Sequence, residues 1–126
     1  MRPMVAGLML ANAAVFLFDA AQHAGVRIGP LSEPTILPAS IVETLCAFAL
    51  IGGSLAAWTR SRRAWPAALA GNLVAVTGVI IGIVALALGA GPKTASNDLY
   101  HRIMLALAGA AILVLLLPSG RRTLKR

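Results

Sequence analysis

The run WPAALAGNLVAVTGVIIGIVALALGA, residues 65–90, contains no charged side chain. A helix needs about 20 mostly apolar residues to cross the hydrocarbon core of a bilayer, within a range of about 17–25. This run meets that length, and its reading as a membrane span sets the frame for the rest of the chain. Outward from it, comparable runs lie at residues 4–24, 39–59 and 99–117. The expected fold class is all-α: a polytopic membrane protein with four transmembrane helices in an up-down-up-down bundle, one domain over residues 1–126.

Composition supports that class. Of 126 residues, 59% are apolar and 12% charged, and the mean hydropathy is +0.85. Soluble domains carry about 45–50% apolar and about 25% charged residues. A 13.0 kDa chain cannot bury such an excess, because small domains expose a large share of their surface. A soluble globule and a disordered chain are both excluded. The net charge of +7 leaves too little polar surface for a nucleic-acid face, so the lipid bilayer is the expected partner. The single cysteine, Cys46, excludes an internal disulfide and a CxxC redox pair.

Local signals punctuate the spans. Pro3 suits a first helical turn, Gly25 a C′ position, and Ser40-x-x-Glu43 a capping box. Gly91-Pro92 is expected to close the third span, Ser96-Asn97-Asp98 to cap the fourth, and Pro118-Ser119-Gly120 to stop it. The N-terminal run lacks a good small-x-small cleavage site and is read as an uncleaved span. Basic residues fix the orientation. Arg2, Arg60, Arg62, Arg63, Arg121, Arg122, Lys125 and Arg126 fall at one face, against Arg27, Lys93 and Arg102 at the other. Both termini are expected in the cytoplasm, with Trp58 and Trp65 as an inner aromatic belt and Tyr100 at the outer interface. Richness in Ala, Leu, Gly and Arg suggests a bacterial inner membrane and a GC-rich genome.

Within the third span, Gly78-x-x-x-Gly82 is a small-residue motif that lets helices approach closely. It is expected to pack inside the monomer, with a homodimer or a larger membrane complex as the alternative. Asn12 and Asn72 lie at similar depth, with Ser54 close to their level. They are expected to join helices through amide hydrogen bonds.

The chain has 4 acidic residues and 2 histidines. The expected topology gathers Asp19, His23, Glu33, Glu43, Asp98 and His101 at the outer end. Ionisable groups at membrane depth are costly and are functional candidates. Asp19 and His23, four apart, share one helical face with Asn12. Asp19 is a ligand or proton-transfer acid, or else half of a clamp with His23, Arg102 or Arg27. Glu43 is explained by the capping box or joins Asp19 at the same level. Cys46 is a small packing residue one turn further in. Asp98 and His101 share one side of the fourth helix, where Asp98 suits the positive helix end.

His23 and His101 at similar depth are candidates for ligating haem, or for holding a divalent metal with Asp19 and Glu43. No HExxH or Glu-x-x-His motif accompanies them. Three functions follow. The first is a non-enzymatic accessory or binding subunit whose outer polar cluster takes a ligand or partner. The second is a haem- or metal-binding membrane oxidoreductase or other enzyme, and the third a small transporter. Asp98, Arg102 and Cys46 have supporting roles in each.

Overall fold

The computed structural model describes residues 1–28 and 33–125. Arg126 of the basic set, and residues 29–32 of the first loop, lie outside the described residues. Five helices follow in order: α1 (Arg2–His23), α2 (Leu37–Trp58), α3 (Ala64–Ala87), α4 (Ala95–Leu116) and α5 (Pro118–Lys125). There is no β-strand among the described residues. The four long helices, α1 to α4, are each long and apolar enough to cross a membrane.

The ends of the helices depart from the sequence reading where local chemistry is stronger than the motif. Helix α2 starts at Leu37, with Pro38 in its first turn, so Ser40 and Glu43 lie inside the helix and form no capping box. Ser40 Oγ instead donates to the Ala20 carbonyl at 2.8 Å. Helix α3 ends at Ala87 rather than residue 90, because Gly89 takes φ 84° and its N–H bonds to the Leu86 carbonyl. That left-handed position ends a helix before Gly91-Pro92 is reached. Helix α4 is capped by Thr94, whose hydroxyl accepts from the Asn97 N–H, not by Ser96, Asn97 or Asp98. Pro118 does end α4, but it also opens α5, since its fixed φ suits a first helical position. Gly25 behaves as expected, with φ 94° and its N–H bonded to the Gln22 carbonyl.

Helix α1 packs on α2 and α4, and α3 packs on the same two. The buried face of α1 carries Val5, Met9, Asn12, Phe16, Asp19 and His23, a repeat of three and four residues. Ser54 Oγ donates to the Ala6 carbonyl at 3.0 Å, and Asn12 Nδ2 to the Met104 carbonyl at 3.2 Å. These bonds tie α1 to α2 and to α4. Asn72 does not follow the expectation: its Nδ2 donates to the Ala68 carbonyl of its own helix at 2.9 Å. Its Oδ1 is buried without a partner. A Cβ on Gly71 would stand 2.6 Å from the Ala49 carbonyl oxygen, and one on Gly53 2.9 Å from that of Ala67. The closest approach of α2 and α3 rests on that pair. Gly78 and Gly82 also face inward, toward Cys46 Sγ on α2 and His101 Nε2 on α4.

Candidate functional site

Three elements converge where α1 ends. Gly25 turns the chain, and the Ile36 N–H bonds to the His23 carbonyl at 2.9 Å, which sets α2 beside the last turn of α1. Helical phase then points Glu43 at His23. His23 Nδ1 lies 3.0 Å from both Glu43 oxygens, and both residues are buried. A carboxylate only accepts, so Nδ1 carries the hydrogen of this bond. Asp19, one turn earlier on α1, completes a group whose ligand-type atoms all lie within 4.8 Å of one another.

The hydrogen bonding of this group is incomplete. Asp19 is 0% exposed, and neither of its carboxylate oxygens has a hydrogen-bond partner. His23 Nε2 is buried without one as well. Most buried polar groups in proteins are satisfied, and each exception calls for an explanation. Arg102 does not supply one for Asp19: it binds Asp98 at 2.6 Å, four residues away on the exposed side of α4. Asp98 and His101 therefore part company, Asp98 exposed and His101 buried, because the buried stripe of α4 runs through Asn97, His101 and Met104, and Asp98 lies about 100° round the helix from Asn97.

Beside the group lies a cavity of about 210 Å³. Val42, Val79, Leu86 and Met104 are among its apolar walls, and His23, Glu43, Asn97 and His101 are its polar lining residues. It exists because α3 presents Gly78, Gly82 and Ala85 there, side chains too small to fill the space. Exposed Pro38, Ile81 and Ala90 belong to its lining, so the cavity opens on the apolar outside of the helices. Asn97 Oδ1, like His23 Nε2, is buried without a partner.

Other candidates take supporting places. Cys46 is buried, and its thiol donates to the Val74 carbonyl at 3.7 Å, a packing role against α3. Tyr100 is buried: its hydroxyl accepts from Gln22 Nε2 at 3.2 Å and its ring meets Phe18 edge-on at 6.0 Å. Glu33 accepts from Thr94 Oγ1 at 2.6 Å and from Ser96 Oγ, so the first loop is tied to the start of α4. Sequence reasoning passed over Asn97 and Gln22. Asn97 stands four residues before His101, a spacing that puts both on one face, and that signal was available. Comparison of the chain with protein-family models, with curated proteins and with solved structures gives no match.

Proposed function

We propose that this is a small, non-enzymatic binding protein of a bacterial inner membrane, acting as an accessory subunit, with the α1–α4 cavity as its ligand site. One observation carries the reading: a largely apolar cavity has His23, Glu43, Asn97 and His101 together in its lining. Ligand sites are mostly apolar with a few placed polar groups. A cavity of about 150 Å³ holds benzene, so about 210 Å³ suits one ring or a short acyl chain bearing a single polar group. Phe16, Met9 and Met104 fill the interior next to the cluster on its inner side, which favours a binding pocket over a transport conduit.

The proposed topology is four alternating spans with both termini cytoplasmic. Three contacts support a common basic end. Arg2 Nε donates to the Thr123 carbonyl, Trp65 Nε1 donates to the Leu115 carbonyl, and the Arg121 guanidinium lies 5.1 Å from the centre of the Trp65 ring. They gather the starts of α1 and α3 with α5, so that basic residues cluster as the positive-inside rule requires.

Isothermal titration of the purified chain in detergent tests the ligand site, with p-cresol against toluene as probes of like shape. p-Cresol should bind at least about fivefold more tightly, since one net hydrogen bond is worth about 1 kcal/mol and one to a charged group more. Equal affinity, or no binding of p-cresol, would remove this reading.

A further inference from the structure

The group beside the cavity has a chemistry of its own, independent of any cavity ligand. We propose that Asp19, His23 and Glu43 together bind one divalent transition-metal ion. The donor set is one imidazole nitrogen and two carboxylates, each from a buried residue. That set suits borderline to hard ions such as Zn²⁺ or Mn²⁺, which accept nitrogen and oxygen ligands. Donor atoms about 2.0–2.2 Å from an ion stand about 3–4 Å from one another. Atoms already within 4.8 Å reach that spacing with side-chain shifts of about 1 Å.

Charge argues for a dication. Two carboxylates and a neutral imidazole carry two negative charges, and a divalent ion brings the sum to zero. Isolated charge in a low-dielectric interior is expensive, and pairing or metal coordination is how buried charges are accommodated. The hydrogen-bond pattern points the same way independently. Asp19 is fully buried, and it lies against His23 and Glu43 with both oxygens free of any donor. A structural clamp would use those oxygens, whereas a metal ligand keeps them for the ion. In the metal-free form a proton lies between His23 Nδ1 and Glu43. An ion bound through Nδ1 displaces that proton to Nε2, so the imidazole stays neutral and the charges still sum to zero.

Three protein ligands leave a coordination position open, as in sites that take an exchangeable fourth ligand. His23 and Glu43 also line the cavity. The open position is thus near enough for a cavity molecule with a hydroxyl or carboxylate group to enter it.

The test uses the full chain in detergent micelles, stripped of metal by chelation and titrated with Zn²⁺ against a chromophoric chelator. One Zn²⁺ should bind per chain. Asp19→Asn and Glu43→Gln should each weaken binding at least about tenfold, because even indirect partners of metal ligands are worth about 10–100-fold. Cys46→Ser should bind Zn²⁺ as the parent does. Ala85→Leu, which fills the cavity from α3, should abolish p-cresol binding and keep Zn²⁺, so failure of the cavity reading is separable from failure of this one. Circular dichroism establishes that each variant is folded. Where Glu43→Gln loses helix, Asp19→Asn decides, since no N–H or O–H donor reaches either Asp19 oxygen. No stoichiometric Zn²⁺ on the folded parent chain, or unchanged affinity in Asp19→Asn, would overturn the proposal.

Discussion

Asp19 and Glu43 are both buried carboxyl groups in one cluster, yet the structure gives them opposite energetic roles. Glu43 satisfies His23 Nδ1, while Asp19 satisfies nothing. Replacing a satisfied partner leaves the other group stranded at about 1–3 kcal/mol, whereas removing an unsatisfied group recovers a similar amount. In the presence of chelator, Glu43→Leu should therefore lower unfolding stability by about 1–3 kcal/mol, and Asp19→Leu should raise it by up to as much. Denaturant unfolding in micelles followed by circular dichroism checks both signs. That Asp19 and His23 share one helical face was legible from their four-residue spacing alone. Glu43 was a candidate beside them, but Ser40-x-x-Glu43 also has the form of a capping box, and only the start of α2 at Leu37 dismisses that reading. Asn72 illustrates a different limit: depth can be read from position in a span, but a partner requires knowing what stands opposite.

Among the elements, the spans were the legible part, since bilayer thickness fixes how long an apolar helix must be. Their ends were less so, because Gly89, Thr94 and Pro118 compete with neighbours of equal propensity for the same turns. The turn between α2 and α3 shows the cost of such a choice. Thr59 ends α2, Ser61 N–H bonds back to the Ala56 carbonyl, and Arg60 between them takes φ 57°. That left-handed position is where glycine is favoured, and an L-residue there costs about 1–2 kcal/mol. Glycine also gains freedom in the unfolded chain, worth about 0.4–1 kcal/mol. Arg60→Gly should thus stabilise the protein by about 0.5–1 kcal/mol, seen as a higher midpoint in thermal unfolding.

The molecule as a whole is apolar outside as well as inside. Between 22% and 44% of each spanning window is buried within the chain, and Ile41, Leu45, Phe48, Ile80 and Leu113 are among the large apolar side chains that face out. Such a surface belongs in lipid. For the proposed orientation, a maleimide that cannot cross membranes should label Lys93→Cys in intact cells and fail to label Ser61→Cys. The native Cys46 is buried and adds little background. Labelling of Ser61→Cys from outside would invert the assignment. Arg60 then links two stages in the life of the chain. A nascent polypeptide entering a bilayer is sorted by charge before any helix has found its neighbour, and in the proposed orientation Arg60 stands in the hairpin that must stay behind. Glycine in its place would give a molecule that endures better once assembled but threads less faithfully while being made. In the proposed orientation, melting temperature and insertion fidelity should accordingly move in opposite directions on one substitution.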